Sequence, residues 1–149
     1  MTGEKMWQAF CRTTNTDENT PHDTWKFCGG GVFADELANL VLAGVKTATA
    51  STKLAFEMDW EALPCAGAYS VILFDNDEAA CVIRDVKVSV VPFNQVSAEH
   101  AYKEGEDNRS LEKWREVHLR AFTPDYQAAG LDFDENGECV LEEFEVVFP

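Results

Sequence analysis

The chain has 149 residues, 46% of them hydrophobic with ten Phe and four Trp, which suits the core of one domain over residues 1–149. Its formal charge of −15, from 27 acids against 12 bases, makes the surface as a whole repel polyphosphate and argues against tight, non-specific nucleic-acid binding. No apolar run approaches the roughly 18 to 20 residues that span a bilayer, and MTGEKMWQAFCRT lacks the apolar stretch of a signal peptide, so a cytoplasmic protein with no membrane partner is expected.

Residues 1–24 read as a partly irregular lead-in: MWQAF suits a helical turn or more, and TTNTDENTPHDT is too rich in turn formers to be regular. Trp25-Lys26-Phe27-Cys28 then enters Gly29, Gly30 and Gly31, which suit a tight turn. Phe33, Leu37, Leu40 and Val41 fall at helical spacing, Asp35 and Glu36 lie in the first turn and Gly44 is a natural stop, predicting a helix over 33–43. Val45–Ser51 is small, partly β-branched and alternating, and predicts a strand.

Leu63–Gly67 reads as a turn, and Tyr69–Phe74 and Ala80–Val91 as a hairpin around Asp75–Glu78. Ser97 and Ser110 suit N-caps for helices over 98–104 and 111–122, joined by a charged loop, and a strand over 139–148 closes the chain. Strands joined by short turns predict an α+β fold around a small, largely antiparallel barrel or curled sheet, with nothing suggesting βαβ winding.

Five dispersed cysteines with no CxxC pair read as reduced thiols, and neither they nor His22, His100 and His118 have zinc-ligand spacing; no metal or other cofactor is expected. Asp132–Gly137 with Glu143 fits the letters of a calcium loop, but Gly130 interrupts its approach and Val140, Phe144, Val146 and Phe148 alternate as in a strand. That context predicts a turn before a strand.

Lys46, Thr47, Thr49 and Ser51 put one lysine and three hydroxyls directly after a helix. They read either as a dipole-favoured lysine followed by strand residues or as groups presented into a cleft. Residues three apart in a straight strand point to opposite faces, so joint action of Lys46 and Thr49 requires Lys46 to lie in a bend before the strand. Glu104, Glu106 and Asp107 form either a solvated acidic loop or a source of a carboxylate for proton transfer. Leu111, Trp114, His118 and Phe122 share a helical stripe, which makes His118 either a packed histidine or a site residue, with Arg115 beside it. Lys53, Arg84 and Arg115 are further cations able to meet an anion, and Trp25, Phe27, Tyr69 and Tyr102 are candidates for stacking on a base or for core packing.

The order of these pieces resembles the ASCH family, in a longer acidic bacterial branch. It is carried by TrpLysPhe before a glycine turn, LeuAlaGlyValLysThrAlaThrAlaSer, LeuPro, ValProPhe, AlaTyrLysGluGlyGlu, SerLeuGluLysTrpArg and a final PheGluValVal. The resemblance covers nearly the whole chain and implies a PUA-like small β-barrel with flanking helices and a cleft for nucleoside or RNA. It is also similar to small N-acetylcytidine amidohydrolases, whose lysine, threonine and glutamate correspond to Lys46, Thr49 and Glu104. On that resemblance Thr49 is the nucleophile, Lys46 its activator and Glu104 the acid/base or the group orienting substrate. Trp25, Ser51, Lys53, Glu106, Arg115 and His118 are then expected to contact substrate. Ser51 stands where the small relatives carry an arginine.

Two functions of different class follow. One is a metal-free amidohydrolase acting on an N-acylated cytidine-type nucleoside, the small neutral substrate that a charge of −15 favours over a polyanion. The other is a non-catalytic RNA- or nucleotide-binding module in which Lys46, Lys53 and Arg115 contact phosphate; a ribonuclease using the same cleft is a less favoured third. DNA is not an expected partner, and the sequence leaves the oligomeric state open.

Overall fold

Thr2 opens the first helix by accepting from the Lys5 backbone N–H, and α1 (Gly3–Thr14) then buries Met6, Trp7, Phe10 and Cys11 along one face. In the computed structural model, which describes residues 1–149, the chain continues through β1 (His22–Trp25), α2 (Val32–Leu42), β2 (Ala48–Thr52) and α3 (Lys53–Met58). It then forms β3 (Tyr69–Leu73), β4 (Ala79–Pro92), α4 (Ala98–Glu104), α5 (Leu111–Ala128) and β5 (Glu138–Phe148). The strands follow the order β1-β3-β4-β5-β2. β1 and β2 end that order, so the expected α+β fold is built on a sheet that does not close into a barrel.

Two compact units divide the chain, and β4 and β5 contribute residues to both. The first comprises Met1–Lys46, Ala66–Val86 and Phe144–Pro149. Successive strand residues point to opposite faces, and here each face has its own helix. Val71 and Val82 meet Met6, Trp7 and Phe10 of α1, whereas Ile72, Cys81 and Ile83 meet Leu37, Ala38 and Val41 of α2. Each such aliphatic side chain withdrawn from water contributes roughly 1.5–3 kcal/mol.

Here the sequence reading needs a correction. His22–Thr24, taken as loop, belongs to β1, which pairs in parallel with β3 from His22 opposite Tyr69 to Trp25 opposite Ile72. β1 is a polar edge strand with residues 22–24 exposed, so no alternation announces it. The sheet is thus largely antiparallel, as expected, with one parallel pair. The helical turn or more expected of MWQAF is α1, which runs for 12 residues because its apolar face continues to Cys11.

The second unit comprises Thr47–Cys65 and Lys87–Glu143. Its core joins Phe93, Val96, Ala101, Trp114, Phe122, Cys139 and Leu141. β2 runs antiparallel to β5, with Ala48 opposite Glu143 and Thr52 opposite Cys139. Thr52 caps α3, a helix the sequence did not announce because none of its residues is buried. α5 runs to Ala128, past the predicted end at 122, because its buried stripe of Trp114, His118 and Phe122 continues to Tyr126; Pro124 is accommodated inside the helix. As predicted, 134–137 is a turn, closed by Gly137 N–H donating to the Asp134 carbonyl, and β5 follows it.

Candidate active site

The end of α2 sets the position of Lys46. Gly44 takes φ +76°, its N–H donates to the Val41 carbonyl and the Val45 N–H reaches back to Leu40, the paired bonds of a Schellman C-cap. Lys46 therefore lies in the bend between α2 and β2, as joint action with Thr49 requires. It is 2% exposed, with its ammonium 5.3 Å from the centre of the Phe27 ring.

Thr47 is held by the end of α4, in its own unit. Its backbone N–H and its hydroxyl both donate to the Lys103 carbonyl, at 2.8 and 3.3 Å. The residue after Lys46 is thus tied to the residue before Glu104. Two residues on, Thr49 lies half-buried in β2, opposite Glu142 of β5.

Glu104 ends α4, a helix capped by Ser97 and turned by Gly105 at φ +74°. The residue is 1% exposed, and its side chain is wrapped by nitrogen groups. His100, one turn earlier on the same face, places Nε2 2.6 Å from Oε2, and Trp114 Nε1–H donates to the same oxygen at 2.5 Å. His118 Nε2 lies 3.3 Å from Oε1. The His118 ring stacks on Trp114, 4.1 Å between centroids, and its Nδ1–H donates to the Trp114 carbonyl at 2.8 Å. A carbonyl only accepts, so this bond fixes the proton on Nδ1 and leaves Nε2 turned toward Glu104.

A narrow cleft reaches this carboxylate, lined by Ala101, Glu106, Trp114, Val117 and His118 among others. Glu104, Glu106 and His118, all expected at the site, are therefore together. Lys53 is not with them. Its ammonium lies 3.3 Å from Glu138 and 3.8 Å from Glu57, beside a different cleft lined by Tyr126 and Gly137. Arg115 is exposed on α5 and donates to the Asn94 carbonyl at 3.3 Å. Ser51 is half-buried in β2 opposite Val140, and Trp25 packs edge-on against Phe27 in the first unit.

Sequence reasoning took Trp114 for core and gave His100 no role. The signal was present: His100 and Glu104 are four apart on one helix, and Trp114 and His118 four apart on the next. The cysteines offer no competing nucleophile at this carboxylate, since burial and then the charge of Glu104 push the Cys139 thiol up to about 12. All five are free thiols. No helix is long and apolar enough to cross a membrane.

Comparison with known proteins bears on the whole chain. The ASCH domain profile matches residues 23–148. The crystal structure of an ASCH domain from Lactobacillus crispatus JV V101 superposes with a TM-score of 0.92 at 28% identity, covering 99% of this chain and 94% of that one. Protein EF3133 from Enterococcus faecalis V583 superposes with a TM-score of 0.87 at 35% identity, covering 97% and 87%. No curated protein matches the sequence. With 126 matched positions and a relative at 35% identity over almost its full length, the chain belongs to the ASCH domain family.

Proposed function

We propose that this ASCH domain recognises a nucleoside or RNA ligand and acts as an amidohydrolase on an N-acylated cytidine-type nucleoside. The observation that carries the reading is the environment of Glu104. A carboxylate withdrawn from water is costly unless its oxygens are hydrogen-bonded, and here Trp114, His100 and His118 surround it beside a cleft. Such a group is built to handle a proton or orient a polar substrate.

On this reading Thr49 Oγ attacks the acyl carbonyl and passes its proton to Lys46. The tetrahedral intermediate collapses as Glu104 relays that proton to the leaving exocyclic amine, releasing cytidine. Water then cleaves the acyl-threonine ester, one of its protons returning to Thr49 Oγ, to give the free acid. The Thr47–Lys103 tether supports the proposal by holding the residue after Lys46 at the helix end that carries Glu104. The charge of −15 favours a neutral small substrate over a polyanion.

A binding module without turnover is the second reading. It is favoured by Ser51, which stands where the small amidohydrolases carry an arginine. One incubation separates the two: purified protein and its Thr49→Ala variant with N-acetylcytidine, with and without a chelator, followed by chromatography. Cytidine released by the wild type alone, unaffected by the chelator, supports the hydrolase. No release at high enzyme concentration removes it, and a salt-dependent RNA titration then tests the binding module.

A further inference from the structure

We propose that the cleft formed by α3, the end of α5 and the turn before β5 binds a guanine-type base, one that carries a ring N–H between a carbonyl and an amino group. None of its residues lines the cleft beside Glu104, so the inference stands apart from the hydrolase reading.

Local structure builds the walls within the second unit. The Thr52 hydroxyl accepts from the Ala55 N–H to cap α3 and donates to Asp125 Oδ2 at 2.7 Å, which ties α3 to the last turn of α5. α3 thereby brings Lys53, Leu54 and Glu57 to the same cleft as Tyr126, and the turn and the start of β5 add Asn136 and Glu138. The space between them is about 280 Å³, close to the roughly 300 Å³ at which small-molecule sites begin.

Tyr126 supplies the observation that points to a ligand. It is 7% exposed, and its hydroxyl has no hydrogen-bond partner in the protein, whereas every fully enclosed polar side-chain atom has one. The oxygen must therefore reach the open cleft, where it lies in the space that a Gly137 side chain would take. Burial first, then Cys139, Asp134 and Asp125, raise its pKa above the usual 10, so at neutral pH it presents an O–H.

The other groups set what can bind. Asn136 engages one end of its carboxamide with Asn94, 3.0 Å away, and keeps the other end for a ligand. Glu57 and Glu138 each turn one oxygen toward Lys53, at 3.8 and 3.3 Å, which leaves each carboxylate a second oxygen as acceptor. Two acids beside one lysine disfavour an anion, and the lysine disfavours a cation, so the ligand is neutral. O–H and ammonium donors next to carboxylates match a carbonyl next to N–H groups: the guanine carbonyl accepts from Tyr126 and Lys53, while its ring N–H and amino group donate to the acids. Cytosine brings only its amino group as donor to two carboxylates, and adenine has no carbonyl. Leu54 and Leu131 supply apolar surface for the ring.

Calorimetric titration of the full chain with guanosine tests the site. Saturation at one guanosine per chain is expected, weakened about tenfold in Tyr126→Phe and in Glu138→Gln, with inosine, which lacks the amino group, weakened by about as much. Tyr126→Phe keeps the ring and Glu138 is exposed, so both variants should keep the fold, checked by circular dichroism. No binding of guanosine up to its solubility limit, equal affinity in the two folded variants and wild type, or inosine and adenosine binding as well as guanosine, would each overturn the site. The Thr49→Ala protein should bind guanosine as wild type does, so failure of this site and failure of the hydrolase reading are separately visible.

Discussion

Trp114 donates its only side-chain N–H to Glu104 Oε2, 2.5 Å away, and so joins α5 to the buried end of α4. A carboxylate at 1% exposure depends on such donors. Trp114→Phe keeps most of the ring and removes the donor. It should cost about 1–3 kcal/mol from the unmade hydrogen bond, plus a packing term for the smaller ring. Urea unfolding of Trp114→Phe, Glu104→Met and the double variant separates the two terms. In the Glu104→Met background the tryptophan substitution should cost less, by about 1 kcal/mol or more. Strict additivity would show that the two side chains only pack.

The parts of this arrangement written locally in the sequence were legible. Ser97 and Ser110 cap α4 and α5 as their spacing predicts, and Gly44 ends α2. The Schellman turn that delivers Lys46 follows from that glycine. Edge strand β1 was hidden because its residues are polar and its pairing with β3 spans 47 positions, from His22 to Tyr69. Surface helix α3 was hidden because it buries nothing. The Glu104 environment was half legible: each i,i+4 pair can be seen on its own helix, whereas the meeting of α4 with α5 depends on the shared core of Ala101 and Trp114. Lys53 was read as a phosphate ligand because its partners, Glu57 and Glu138, include one 85 residues away.

Lys103 links the site's backbone to a surface ion network. Its carbonyl holds Thr47, and its ammonium lies 2.6 Å from Glu143 and 3.0 Å from Glu99. The Lys103 hydrogen bond holds the Glu143 carboxyl below its usual 4.5, outweighing burial. A depressed folded value means that the stabilisation is complete above 4.5 and is lost as pH falls through the folded value. For Lys103 the sign reverses: its value is raised above 10.5, and its contribution disappears only as pH rises beyond that. Glu143→Gln should therefore be less stable than wild type near about pH 7, with the gap closing below about pH 4.5. Urea midpoints measured across that range decide it, since a gap independent of pH would remove Glu143 ionisation as the cause.

Gly137 occupies the glycine position of the calcium-like run 132–143, yet its surroundings give it a different reason to be glycine. A Cβ at 137 would collide with the Tyr126 hydroxyl and approach the Asp134 carbonyl oxygen to 2.9 Å. The backbone here is also engaged, with the Gly137 carbonyl accepting from Phe93 N–H at 2.8 Å. The loop thus needs a residue without a side chain so that α5 can approach the turn before β5. Gly137→Ala should destabilise by about 1–3 kcal/mol through overpacking. The carbonyl contact remains when the hydroxyl is removed, so in a Tyr126→Phe background the same substitution should cost less without becoming neutral. Added Ca2+ should leave the urea midpoint of the wild type unchanged, whereas a rise on adding Ca2+ would restore the calcium-loop reading, since a ligand that binds only the folded state must stabilise it.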